Sequence, residues 1–297
     1  MSFLYINPGY ASMCKTYNTV QSTDTVLNKN FSGACIGVSA SVTTITNFPS
    51  GTKDVYMVGD WKQVKHPLSN YANYLYLLVG GKTVRIDLNT YNIYKSDGTT
   101  KITANGNHNI YNHFSFEFHS STDASKAILK WTEDNVVIYN DTVDWLQTGD
   151  DITQISLGDG DRNQLFCNLI ISDQPIKPNL QIVELPTTEL ESTMTKSGDV
   201  YTATTAGQSV TESISAGSLT NGTICGICMT ADNAYYDGEG LTKLKCECLN
   251  GNESIQSEIK SLIDKNTTTN RSETSNFWCN VPVEKISSYK VKYTAET

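Results

Sequence analysis

The sequence predicts an all-β protein: an antiparallel sandwich followed by a second, smaller β-sandwich domain. Three observations carry this. The chain has 297 residues, about twice the usual domain size, and each half is long enough to bury a core of its own. Charged residues make up 18% and hydrophobic ones 38%, and Ser, Thr, Asn and Tyr fill the difference, which is the profile of strands with polar outer faces. Short runs of β-formers recur about every 8–12 residues with turn residues between them. Stretches of eighteen apolar residues do not occur, which argues against a membrane-spanning helix. Lys and Arg number 22 against 31 Asp and Glu, a formal net charge of −9. The basic residues gather into no stripe that would track a phosphate backbone, so nucleic acid is not an expected partner. The opening MSFLYINPGY has no basic segment followed by a long apolar core, and export by a secretory signal is not expected.

From residue 74 to 103 the chain reads as a meander: YLYLLV, Gly80-Gly81, TVRIDL, YNIYK, Asp97-Gly98, TKIT. Gly-Gly and Asp-Gly linkers are hairpin signals because these residues tolerate positive φ. Phe114, Phe116 and Phe118 alternate with Ser115, Glu117 and His119, giving one apolar and one polar face. AILKW and VVIYN flank Thr132-Glu133-Asp134-Asn135 as a further hairpin, and ITQISL and QLFCNLIIS follow around the loop at 158–161. These runs place the first domain at 1–175. Pro175, Pro178 and Pro186 then interrupt the pattern, and 176–189 reads as a connector. DVYTATT, VTESISA, TICGICMT, LTKLKCEC, SNFWCNV and YKVKYTA build the second domain, 190–297. One segment there is expected to be a short helix, near 253–264, since Ile255, Ile259, Leu262 and Ile263 have helical spacing behind a possible Asn252 cap.

The strand order carried by FSFEF at 114–118, ILKWTEDNVVIYN at 128–140, DDITQISLG at 150–158 and LFCNLIISD at 165–173 resembles the concanavalin A-like lectin/glucanase jelly roll, also called laminin-G-like, in the version found in phage virion and tail proteins. The second half, with DVYTATTAGQSVTESISAGSL, TICGICMTADNAYYDGEGLTKLKCECLNG, FWCNVP and SYKVKYTA, resembles the β-sandwich that follows such domains in phage structural proteins. The resemblance implies a non-enzymatic virion structural protein of a phage tail or capsid, made in the host cytoplasm and located in the virion. Its partners would be other virion proteins and copies of itself, with host-surface glycan as a further partner. Open Ser- and Thr-rich edge strands agree with a homo-oligomer or ring. The alternatives are a carbohydrate-binding receptor-recognition module and a glycan-degrading enzyme on the same fold. Relatives that hydrolyse glucans use E-x-D-x-x-E, and that string is absent here.

Aromatic side chains are the candidate glycan platform, because a ring covers the apolar face of a sugar while polar neighbours bond its hydroxyls. Trp61, Tyr71, Tyr74 and Tyr76 are the candidates, although strands favour aromatics for packing alone. Asp159, Asp161 and Asn163 place oxygen ligands at alternate positions of a turning loop, which suits Ca²⁺. The same Asp-Gly composition suits a plain hairpin, and an EF-hand would need Glu where Ile170 stands. Cys225 and Cys228 have the C-x₂-C spacing common in four-thiolate zinc sites, whereas Cys246 and Cys248 make an unusual C-x-C second half; zinc and a disulfide are the alternatives, and the cysteines are expected to be reduced, buried and metal-free. Glu189 and Glu191 are spaced for one face of a strand but read as a surface pair in the connector. His66, His108, His113 and His119 offer no triad partner set, and no G-x-S-x-G, H-E-x-x-H or P-loop string occurs.

Overall fold

The computed structural model describes residues 3–14, 19–23, 25, 27–32, 34–38, 42–63, 74–88, 92–94, 101–103, 111–143, 146–158, 164–177, 180–232, 234–237, 240–265 and 272–297. The chain divides into two compact units, Met1–Ile182 and Val183–Thr297.

The first unit contains β1 (Leu4–Asn7), β2 (Thr19–Thr23), β3 (Ala34–Val38), β4 (Thr43–Asn47), β5 (Asp54–Gln63), β6 (Tyr74–Val79), β7 (Lys82–Asp87), β8 (Asn92–Tyr94), β9 (Lys101–Thr103), β10 (Tyr111–His119), β11 (Ile128–Glu133), β12 (Val136–Thr142), β13 (Ile152–Gly158) and β14 (Gln164–Ser172). One sheet runs β12-β11-β10-β5-β14-β3-β2, with β1 also paired to β14; the other runs β4-β13-β6-β7-β8-β9. All of these pairings are antiparallel. The chain passes between the sheets at β3–β4, β4–β5, β5–β6, β9–β10, β12–β13 and β13–β14, which is the winding of a jelly roll. Inward residues of both sheets share one apolar cluster that includes Met57, Leu77, Ile86, Phe116, Trp131, Ile155 and Phe166. The Phe114–Phe118 alternation is the clearest case: the three rings are 1%, 2% and 0% exposed, and the intervening residues face outward.

Two expectations change here. The β11–β12 turn is two residues rather than four, because Thr132 and Glu133 pair with Val137 and Val136. Asp134 and Asn135 make the turn with φ of 48° and 66°, a conformation these two types tolerate better than most. Trp61, a glycan candidate, is 2% exposed and sits in the core cluster. It lies on β5 in phase with Val55 and Met57, so the two-residue period carries its indole inward.

The second unit contains β15 (Thr187–Ser192), β16 (Thr195–Ser197), β17 (Val200–Thr202), β18 (Ser209–Ile214), β19 (Thr223–Ala231), β20 (Tyr235–Tyr236), β21 (Lys243–Asn250), β22 (Glu253–Ser261), β23 (Ile263–Asp264), β24 (Glu273–Pro282) and β25 (Tyr289–Glu296). A five-stranded sheet, β15-β18-β25-β21-β22, packs on the β19-β24 pair through Ile214, Ile227, Met229, Cys246, Cys248, Phe277 and Val291.

The helix expected near 253–264 is instead β22 and β23. A spacing of four residues lies on one face of a strand as well as of a helix, so Ile255 and Ile259 did not discriminate. Pairing with β21 from Asn250↔Glu253 to Lys243↔Ser261 satisfies the backbone, and Gly251-Asn252 is a hairpin turn rather than a helix start. The inward phase of β22 is Gln256, Glu258 and Lys260, and Ile255 and Ile259 stay 42% and 57% exposed. Glu189 and Glu191, read as connector, lie on edge strand β15, where a bulge separates them.

Candidate functional site

The outer face of the β4-β13-β6-β7-β8-β9 sheet gathers the aromatic and polar groups most suited to a ligand. On β6, β7 and β8 the residues Leu75, Leu77, Val84, Ile86 and Ile93 are buried between the sheets, so their alternates point away from the core. Gly80 and Gly81, with φ of 54° and 76°, close β6 onto β7 in two residues. That turn length sets Val79 opposite Lys82 and therefore Tyr76 opposite Arg85. On the far side Arg85 pairs with Tyr94, and Tyr76 pairs with Ser156 of β13. The row Ser156–Tyr76–Arg85–Tyr94 crosses four strands.

Tyr74 joins this row from the next outward position of β6. Its ring meets Tyr76 at 5.7 Å and 63°, and Tyr94 at 6.1 Å and 84°. The Arg85 guanidinium carbon lies 5.2 Å over the Tyr74 ring and 5.1 Å over the Tyr94 ring, within cation–π range. Beyond Tyr76, Gln154 Nε2 donates to Thr44 Oγ1 (2.9 Å) and Ser156 Oγ (2.7 Å). The result is an aromatic shelf, half-buried at Tyr74, Arg85 and Tyr94 and buried at Tyr76, with a polar border. Rings of this kind suit the C–H face of a pyranose, and the amide and hydroxyls suit its oxygens.

Of the four glycan candidates, the shelf therefore contains Tyr74 and Tyr76, whereas Trp61 is in the core. Tyr71 lies outside the described residues, as do the calcium candidates Asp159, Asp161 and Asn163, and His66 and His108. Arg85 and Tyr94 were missed, although the Gly-Gly turn already fixed Arg85 opposite Tyr76.

The zinc candidates do not converge. Cys246 and Cys248 face the second unit's core from β21, whereas Cys225 sits at a bulge in β19 and Cys228 is out of phase with inward Ile227 and Met229. Burial pushes the Cys228 thiol up to about 12 and that of Cys248 up to about 11. Among the described residues, no three His, Cys, Asp or Glu side chains are placed to hold a metal ion. Glu189 is occupied by the neighbouring β16–β17 hairpin, accepting from Lys196 Nζ and Tyr201 Oη at 2.7 Å each.

The outer face of the β12-β11-β10-β5-β14-β3-β2 sheet carries two polar clusters. Asp60 accepts from His113 Nδ1 (2.7 Å) and from Asn168 Nδ2 (2.6 Å). His119 is clasped between Asp54 (Nδ1, 2.8 Å) and Glu117 (Nε2, 2.8 Å), with the Tyr56 ring edge-on at 5.6 Å. Burial alone lowers the His119 pKa, but the hydrogen bonds and charges of Glu117 and Asp54 outweigh it and hold it above the ordinary value. Both ring nitrogens face carboxylates, so the imidazolium is the form that satisfies the clasp. A folded-state pKa above the unfolded one gives stability that is fully present below about pH 6.5 and is lost as pH rises through the folded-state value. Denaturation of the parent and His119→Gln across that window should show the parent's advantage shrinking as pH rises. A pH-independent difference would show that the clasp does not favour the proton.

No family model matches the sequence, and no curated protein matches it. Several solved structures resemble it weakly. The cellulose-induced protein Cip1 is 15% identical over 59% of this chain and 92% of its own, with a TM-score of 0.39. Domain 4 of AbnA, an extracellular arabinanase from Geobacillus stearothermophilus in complex with arabinotriose, is 11% identical over 59% and 84%, at 0.36. The carbohydrate recognition domain of Emp46p in its potassium-bound form is 10% identical over 57% and 100%, at 0.35.

Proposed function

We propose that the first unit is a non-enzymatic carbohydrate-binding β-sandwich whose sugar platform is the shelf of Tyr74, Tyr76, Arg85 and Tyr94. The observation that supports this reading is the convergence of three tyrosine rings with a polar Gln154–Ser156–Thr44 border on one outward sheet face. An aromatic surface whose Tyr74 and Tyr94 rings are half-buried binds saccharides by ring contact and hydroxyl bonding without any bond being broken. The strand-order resemblance supports a narrower setting, a virion subunit that meets host glycan, and locating the chain in a particle tests it; the shelf works as a platform in either setting.

Glycan-array screening of the whole chain, followed by calorimetric titration of the best ligand, tests the proposal. Tyr94→Ala is expected to weaken binding about tenfold or more, the size of one lost aromatic contact, with the unfolding midpoint little changed because the ring is half-exposed. Failure of the array to show any ligand, or a Tyr94→Ala variant with parental affinity, would overturn it.

A further inference from the structure

Arg85 differs from those described cations of this acidic chain that are held by ion pairs. Lys53, Lys196, Lys245, Lys260 and Lys265 each have a carboxylate partner. Arg85 is half-buried in the middle of a sheet face and, among the described residues, has neither an ion pair nor a hydrogen bond. Asp87 projects from the same face of β7 but forms no ion pair with it. What Arg85 has are the Tyr74 and Tyr94 rings, 5.2 Å and 5.1 Å from its guanidinium carbon.

We infer that the shelf recognises sugars carrying a carboxylate, with Arg85 as the residue that reads it; this rests on the sugar-binding reading above. Removing part of a guanidinium's hydration is unfavourable, and ring faces replace only some of it, because they contact the π surface and leave the N–H donors without acceptors. The rings also restrict where the guanidinium can go, so a fork of donors is already fixed in place. A planar carboxylate matches that fork with two parallel hydrogen bonds, while the sugar ring that bears it lies on the neighbouring tyrosines. A neutral sugar uses the rings and leaves the fork unfilled. The chain's net charge of −9 repels long polyanions, so the fit is to a short acidic oligosaccharide or a single acidic residue at a chain end.

The test titrates the whole chain with two matched pairs: a short galacturonan oligomer against its methyl ester, and sialyllactose against lactose. At least one acid is expected to bind about tenfold or more tighter than its neutral partner, and Arg85→Gln is expected to remove that preference. Preference for galacturonan alone assigns hexuronates and preference for sialyllactose alone assigns sialic acids; either supports the inference. Equal binding of acid and neutral partner, or a preference that survives Arg85→Gln, overturns it and leaves the sugar-binding reading intact. Loss of all four ligands by the parent chain fails both. Should Arg85→Gln not fold, the salt dependence of the parent decides: acid binding must weaken with salt while neutral binding does not.

Discussion

Replacing Phe116 with alanine is expected to destabilise the first unit by about 3–5 kcal/mol. The ring is 2% exposed and has aromatic neighbours on three sides: Phe118 stacked at 5.6 Å and 11°, Phe114 tilted at 5.4 Å, and Trp131 at 5.4 Å. Opposite it across β5 is Met57, itself fully buried. Collapse into the gap would need several rigid rings to move together, so the cavity term adds to the lost transfer energy. Hydrogen exchange of the β10 and β11 amides during denaturant unfolding localises the effect to this unit. Val136→Ala on edge strand β12, where the side chain is 62% exposed, is the control and is expected to change stability by less than about 0.5 kcal/mol. A loss below about 1 kcal/mol for Phe116→Ala would mean the aromatic cluster repacks freely.

The second large effect is expected from Gly9→Ala. Gly9 has φ of 141°, and a Cβ there would overlap the backbone carbonyl of Ala34 and stand 3.2 Å from Asn28 Nδ2. Neither neighbour can withdraw cheaply. The Ala34 oxygen accepts from Asn28 Nδ2 at 2.7 Å, and the same nitrogen donates to the Pro8 oxygen at 2.6 Å. Buried Asn7 fixes the loop from the other side, with Oδ1 accepting from the amides of Gly9 and Tyr10 at 2.8 Å each. Backbone strain and displacement of β3 together are expected to cost on the order of 4 kcal/mol. Gly51→Ala separates the two contributions, because Gly51 also has a positive φ, 88°, but nothing within 4 Å of the added Cβ; it should lose only about 1–2 kcal/mol. Equal losses at the two glycines would remove the steric part of the argument.

Alternation was the legible part of the fold. The phase of Phe114–Phe118, the meander from Tyr74 and the two-residue turn at Gly80-Gly81 are local facts that a two-residue period and left-handed turn residues make readable. The candidate site was legible halfway: the turn that placed Tyr76 also placed Arg85, but the β7–β8 register that brings in Tyr94 depends on contacts beyond the turn. Trp61 was misread because its ring was judged by residue type rather than by its phase with Val55 and Met57. Gly59, two residues before it, is where the Phe114 ring and Leu169 close over β5, since a Cβ there would stand 2.9 Å and 2.6 Å from them. Strands β1 to β5 were not delineated, and for β1, β4 and β5 the partners are remote: β1 pairs only with β14, more than 150 residues later by sequence numbers, β4 with β13 and β5 with β10 and β14. The β22 error has a different origin: its partner β21 is adjacent, but an edge strand is defined by its neighbour rather than by its own apolar pattern.

The strand orders also bear on how the chain is made. In the first unit β14 is its last strand, yet it lies between β5 and β3 and also holds β1. In the second, β25 comes after every other strand and lies between β18 and β21. A ribosome delivering this chain from the N-terminus therefore releases these two sheets as separated parts, which join only when the closing strand emerges. Until then the β18 and β21 edges that β25 will join stay open, and so do those of β5 and β3. Closure is non-local and correspondingly slow, and the interval before it is when the nascent chain is most exposed to mispairing with other copies.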